Sequence, residues 1–290
     1  DTRRRWRRGW PPVDYVRTRE GGAKRLLECP AMADQTPTTF NLAQILDQQL
    51  VRGPARTAVV AGDTRLSYAQ LHAMVSQVAG GLSAMGIGPG DHVSLMCPNL
   101  PYFPVAYFGI LKAGAVVVPL NVLLRPREIA YHLRDSDAVA YFCFEGTPEL
   151  PMGTMGKDAF DQVDGCRHFI VLPQTPDAAS PIDGAVSYAQ FVAHQAADVP
   201  SHGTDPTDTA VILYTSGTTG QPKGAELSHL NVYSNAVTSS DMLISICRRD
   251  PHTPVVSLIT LPLFHSFGQV VLMVAGTYAA NTIVLLSRFE

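Results

Sequence analysis

The chain has 290 residues, which at roughly 150 residues per domain allows one large domain or two modest ones. Apolar residues make up 46% and charged residues 16%, with a mean hydropathy of +0.07, so a sizeable core can be buried and a disordered chain, a collagen-like repeat and a disulfide-dependent miniprotein are excluded. Net charge −3 with a pI near 6.3 argues against a nucleic-acid binder, which would usually be strongly basic.

Charge is unevenly spread. Residues 1–31 hold nine basic and four acidic side chains, a net +5 that leaves −8 on the remainder. A secretory or twin-arginine signal would need an apolar stretch after the arginines, and Gly9-Trp10-Pro11-Pro12-Val13-Asp14 is not one. A basic arm toward nucleic acid or a membrane surface, with peripheral association, is one reading. The expected one is a disordered upstream extension, with the protein proper starting at Met32.

Regular patterning begins near Thr39. Leu42, Ile45, Leu46 and Leu50 predict a helix over Asn41–Val51, and Ala58–Val60 a short strand. Ser67 is placed to cap a helix running to Met85, with Leu71, Met74, Val75, Val78 and Leu82 on one face. Gly86-Ile87-Gly88-Pro89-Gly90 follows a helix and precedes a strand, the reverse of a dinucleotide fingerprint, and reads as a helix stop and turn. Strand His92–Cys97, helix 101–112, strand Ala115–Pro119, helix 126–135 and strand Val139–Phe144 come next. A loop-rich stretch, Glu145–Gly165, then leads to strand Phe169–Leu172. Gly268–Leu286 is too interrupted by polar residues to span a membrane and predicts a core helix followed by a strand. Helices alternating with short apolar strands imply an α/β protein built on a mostly parallel sheet.

Five cysteines, none in a CxxC pair, read as buried free thiols in a reducing compartment, hence a cytoplasmic protein. The nine histidines form neither HxxxH nor HExxH, so no metal site is expected.

The informative string follows strand Val211–Tyr214: Thr215-Ser216-Gly217-Thr218-Thr219-Gly220-Gln221-Pro222-Lys223-Gly224. Glycines let the main chain approach an anion and present its N–H groups. Hydroxyls donate to phosphate oxygens, and Lys223 adds a point charge. Chance coincidence of these residue types is on the order of 10⁻⁹ per position at average usage. A Walker A loop anchored at Gly217 would need glycine at Pro222 and a hydroxyl at Gly224, so this is a triphosphate loop of another kind. Ser228 then caps a helix through Met242, with His229 at its start and no further role.

Ile212 through Lys223 resembles, at every position, the AMP-binding signature of the adenylate-forming superfamily of acyl-CoA synthetases, luciferases and peptide-synthetase adenylation domains. Leu111-Lys112-Ala113-Gly114-Ala115 and Leu261-Pro262-Leu263-Phe264-His265 resemble two weaker motifs of that superfamily in the right order. The wording around them is most similar to fatty-acid–CoA ligases. The resemblance implies the N-terminal large domain of that fold over 32–290, with layered, mostly parallel sheets and a stop before the C-terminal domain. It also implies ATP, Mg²⁺ and CoA as cofactors, and a fatty acid turned into its CoA thioester through an acyl-adenylate. Thr215, Ser216, Gly217, Thr218, Thr219, Gly220 and Lys223 are then expected to hold the ATP phosphates. His265 is expected to line the acyl pocket, with a core histidine beside Phe264 and Phe267 as the other reading. The superfamily's Mg²⁺-holding acid, ribose-binding aspartate and catalytic lysine are expected beyond residue 290, since Lys157 and Lys223 are the only lysines after Lys112. No catalytic residue is therefore assigned, and the 290 residues alone are expected not to turn over. Two other readings stay open: transfer of the acyl group to a carrier protein, as fatty-acyl-AMP ligases do, and a non-catalytic nucleotide-binding remnant.

Overall fold

Two sheets organise the chain, and their central strands are apolar on both faces. The computed structural model describes residues 39–215, 220–247 and 255–287, with backbone only for 243–247. The basic segment 1–31, the residues Ser216 to Thr219 and the Arg248-Arg249-Asp250 turn lie outside these.

The first helix, α1 (Gln44–Arg52), leads to an antiparallel pair, β1 (Thr57–Ala61) and β2 (Thr64–Ser67). Helix α2 (Tyr68–Ala84) starts where the sequence predicts. Ser67 Oγ accepts from Gln70 N and Gln70 Oε1 accepts from Ser67 N, a capping box that satisfies two otherwise orphan donors. Leu71, Val75, Val78 and Leu82 of the predicted face are buried, while Met74 is only partly covered. Gly86 (φ +73°) follows the helix cap and Gly90 (φ +78°) turns the chain toward the next strand, both in backbone conformations that favour glycine, so the glycine string is a helix stop and turn.

Next come β3 (His92–Met96), α3 (Tyr102–Lys112), β4 (Val116–Pro119), α4 (Pro126–Asp135) and β5 (Ala138–Phe144). The stretch Glu145–Gly165, expected to be loop-rich, instead contains α5 (Met152–Phe160). Gly153 and Gly156 each cost the helix about 1 kcal/mol of propensity relative to alanine. They permit close packing on the sheet: a Cβ at Gly156 would stand 2.9 Å from Cys143 Sγ and 3.1 Å from Tyr141 Oη. Tertiary contact overrides local preference there.

Then follow β6 (His168–Leu172), β7 (Val186–Ser187), α6 (Tyr188–Val192), β8 (Thr209–Thr215), β9 (Lys223–Ser228) and α7 (His229–Cys247). The last described elements are β10 (Val256–Ile259), a π-type helix over Phe267–Val274, α8 (Ala275–Tyr278) and β11 (Thr282–Leu285). The core helix and strand predicted within Gly268–Leu286 are both present.

The larger sheet runs β7-β6-β5-β3-β4-β8-β9 and the smaller β10-β11-β1-β2. Only β1–β2 and β8–β9 pair antiparallel among the described residues. Strands β3, β4 and β5 are covered on both faces, which explains why they read as continuous apolar runs rather than alternating ones. The smaller sheet closes over a long span, with Val59 of β1 beside Ile283 of β11. Cys97, Cys143 and Cys166 are buried free thiols, as the sequence suggests.

Candidate functional site

The hydroxyl- and glycine-rich string joins β8 to β9. The sequence pattern alone puts Lys223 and Gly224 in the loop and marks no strand after them. In the structure Lys223–Ser228 is a strand antiparallel to β8, with Thr215 opposite Lys223 and Tyr214 opposite Gly224. The loop is therefore a β-hairpin connection. The α7 N-terminus lies at the far end of β9, where Ser228 Oγ accepts from Asn231 N as the expected cap. The α7 N-terminus is therefore set away from the Thr215 and Lys223 end of the hairpin.

Of the seven phosphate-binding candidates, Thr215, Gly220 and Lys223 are described, and all three are exposed; Ser216, Gly217, Thr218 and Thr219 lie outside the described residues. Directly opposed strand residues bring their Cβ atoms to about 5 Å. Thr215 and Lys223 thus stand side by side on one rim of the hairpin mouth. Nothing lies within 4 Å of a Cβ built at Gly220. An exposed donor and a cation on one rim, beside an open glycine, fit a polyphosphate.

The hairpin is tied to α4 from both sides, at Tyr214 in β8 and at Pro222 just ahead of β9. Tyr131 Oη donates to the Pro222 carbonyl at 2.7 Å. Tyr214 Oη donates to Asp135 Oδ2 at 2.7 Å, and the His132 ring meets the Tyr214 ring edge-on with centroids 4.4 Å apart. Burial, the hydrogen bond to Asp135 and its negative charge together hold the Tyr214 phenol well above its ordinary range. Sequence reading passed over Tyr131 and Asp135. The only signal was their i, i+4 spacing on a helix, and nothing local says what that face meets.

Strand β9 leads from the hairpin to a cleft of about 520 Å³ between α7 and the π-type helix, lined by Val232, Asn235, Ser266, Phe267, Val270 and Val271 among others. With about 3.3 Å of rise per residue, Lys223 and Leu227 at the cleft edge lie about 13 Å apart along β9. His265 precedes this wall, is exposed, and packs its ring 4.6 Å from that of Phe264. The core-histidine reading does not hold, because Phe267 is 53% exposed and His265 has solvent around it. His229 starts α7 as expected and is itself fully buried. Its Nδ1 accepts from Leu42 N at 3.0 Å, and burial pushes its pKa down to about 4.

Among the described residues, no group of three or more His, Cys, Asp or Glu side chains is placed to hold a metal ion, and no helix is long and apolar enough to cross a membrane.

A mostly parallel α/β domain carrying a hydroxyl- and glycine-rich hairpin next to an apolar cleft has the build of the N-terminal domain of adenylate-forming enzymes. Residues 46–290 match the family model described as AMP-binding enzyme, and the chain belongs to that family. It is 31% identical over 252 residues to the long-chain-fatty-acid–CoA ligase FadD13 of Mycobacterium tuberculosis, covering 86% of this chain and 46% of that protein. In three dimensions it is similar to the anthranilate CoA ligase AuaEII in complex with anthranoyl-AMP (TM-score 0.76, 24% identity, 87% of this chain and 46% of that one). It is also similar to ATP-bound MatB from Rhodopseudomonas palustris (TM-score 0.71, 29% identity, again 87% and 46%). The chain spans about half the length of the relatives it matches.

Proposed function

We propose that this chain supplies the phosphate-binding half of an enzyme that activates a carboxylic acid, of the fatty-acid class, as its CoA thioester. A carboxylate is a poor electrophile, because attack by a thiol cannot expel oxide. Attack of a carboxylate oxygen on the α-phosphorus of ATP releases pyrophosphate and yields an acyl-adenylate. The CoA sulfur then attacks the acyl carbon and AMP leaves. Mg²⁺ would supply charge neutralisation at the phosphates. The described residues assemble no group of three or more His, Cys, Asp or Glu side chains for it.

The observation that carries the reading is the pairing of exposed Thr215 and Lys223 across the hairpin mouth. In the proposal Thr215, Ser216, Thr218 and Thr219 donate to the β- and γ-phosphates, Gly217 and Gly220 allow close main-chain approach, and Lys223 offsets charge. These groups act by positioning and electrostatic stabilisation. A hydrogen bond to a charged oxygen contributes about 1.5–3 kcal/mol, so loss of one hydroxyl costs roughly 10- to 100-fold. The acyl chain enters the cleft beside Phe267, with His265 at its rim. FadD13 and AuaEII are named for different acids, and the fatty-acid assignment rests on the wording of the motifs and on the likeness to FadD13. The reaction is assigned to the cytoplasm, with the buried free thiols as support.

The test is product analysis on a chain of the relatives' length, supplied with ATP, Mg²⁺, a fatty-acid series and either CoA or an acyl-carrier protein. A CoA thioester is expected. Acyl-carrier product alone would move the assignment to the acyl-AMP ligases, and no adenylate with any acid would end it. The 290 residues alone are expected to show no pyrophosphate exchange.

A further inference from the structure

We infer that one face of α4 is the positioning element of the phosphate hairpin, with Tyr131 and Asp135 as its two positioning residues. This rests on the adenylation reading above and adds residues outside the glycine-rich string to it.

The hairpin poses a mechanical problem. The hairpin leaves the sheet at its edge, since β9 is the last strand of the larger sheet and β8 its only described partner. Its first four residues are exposed, so no core packing fixes where the mouth points. A two-stranded ribbon at a sheet edge twists and bends readily. A site that stabilises charge by preorganised donors needs its loop held in place before the nucleotide arrives.

The two contacts described above meet that need at the right positions. Tyr214 immediately precedes Thr215, and Pro222 immediately precedes Lys223. Each side of the hairpin, in β8 at Tyr214 and just ahead of β9 at Pro222, is pinned one residue away from the side chain proposed to touch phosphate. The pins reach back to Tyr131 and Asp135, four apart and therefore on one face of α4. Helix α4 is a firm base: Pro126 opens it, Glu128 accepts from Arg125 N, and Ile129 and Leu133 are buried in the core. The acceptor from Tyr131 is a backbone carbonyl of a proline, which has no N–H of its own to tie the chain there. Asp135 meets the neck directly, accepting from Tyr214 Oη at 2.7 Å, and burial first, then the Asp135 carboxylate, raises the pKa of both phenols. Tyr131, Asp135 and Tyr214 form a bracket across the hairpin neck, and none of them is proposed to touch the nucleotide.

The bracket is tested with Tyr131→Phe, Asp135→Ala and Asp135→Asn, using Tyr188→Phe as the control because its buried hydroxyl has no hydrogen-bond partner. Amide exchange over residues 214–224 is followed by mass spectrometry in the 290-residue chain. Pyrophosphate exchange is followed at varied ATP and varied acid in the full-length protein. A neutral hydrogen bond, such as Tyr131 to the Pro222 carbonyl, corresponds to about a 3- to 10-fold effect, and one to a carboxylate, such as Tyr214 to Asp135, to about 10- to 100-fold. Tyr131→Phe and Asp135→Ala are expected to speed exchange across the hairpin and raise KM for ATP by these respective factors, leaving KM for the acid and the melting temperature in place. Asp135→Asn keeps an acceptor for Tyr214 and is expected to restore both. Wild-type exchange rates in the two variants, or faster exchange with an unchanged KM for ATP, would overturn the bracket. A wild-type protein that shows no ATP-dependent pyrophosphate exchange would instead remove the adenylation reading, and the bracket's purpose with it.

Discussion

Lys112 Nζ lies 3.0 Å from Asp47 Oδ1, with the lysine side chain only 2% exposed at the end of α3. His72 Nε2 stands 3.0 Å from the same carboxylate oxygen and 3.1 Å from the ammonium, and Ser201 Oγ donates to Asp47 Oδ2 at 2.9 Å. One carboxylate thus joins α1, α2, α3 and the segment leading to β8. Burial alone would raise the Asp47 pKa; hydrogen bonds from His72, Lys112 and Ser201 and the Lys112 charge outweigh it and bring it down to about 2. Its folded pKa is below the unfolded value of 3.8, so this stabilisation is present above about pH 4 and is lost as pH falls toward 2.

Breaking a buried ion pair from one side costs about 3–5 kcal/mol. Asp47 is partly in water, so the lower end applies, and Lys112→Ala is expected to destabilise by about 3 kcal/mol. Urea unfolding at pH 7 reads this directly. A change within 0.5 kcal/mol would mean that the ammonium does not hold the three helices together.

His229 predicts a second pH dependence of the opposite chemical type. Its imidazole is buried and neutral, accepting the Leu42 N–H, with a pKa lowered to about 4 from an ordinary 6.5. The unfolded chain therefore binds a proton that the folded one refuses between those values, and stability falls as pH drops from about 6.5 to 4. At 1.36 kcal/mol per pKa unit the loss is about 3 kcal/mol. His229→Gln, which retains an acceptor without a titration, is expected to flatten that limb of the stability curve. Equal slopes for the variant and wild type between pH 6.5 and 5 would contradict this.

The thiols give a third test. Cys143 and Cys166 are pushed up to about 12 and Cys97 well above its ordinary range, all chiefly by burial. The nucleophile is the thiolate, so none of the three should react while the protein is folded. Mass mapping after iodoacetamide at pH 8 is expected to find them unmodified in buffer and fully modified in denaturant. Early labelling of Cys143, which sits under α5, would show that α5 opens locally.

How much of this was legible beforehand depended on where each residue's partners lie. The Ser67–Gln70 cap is three residues long and could be read directly. The buried parallel strands announced themselves as apolar runs. Helix α5 was missed because its glycines serve a contact with β5 that no local window contains. Strand β9 was missed because Lys-Gly-Ala-Glu-Leu-Ser lies at an exposed edge and shows no alternation, its definition coming wholly from pairing with β8.

The sequence by itself determined the chemistry: which residue types stand in the string 215–224, in which order, and the family that they mark. These are covalent facts, and the spacing of donors along a loop survives without knowledge of the fold. The tertiary structure decided how those residues are presented. It made the string the mouth of a hairpin and set Thr215 opposite Lys223. It tied the neck to Tyr131 and Asp135 some 80 to 90 positions earlier, and it buried Lys112 against Asp47. Each of these depends on contacts between segments far apart in the chain, and only packing of the whole core brings such segments together.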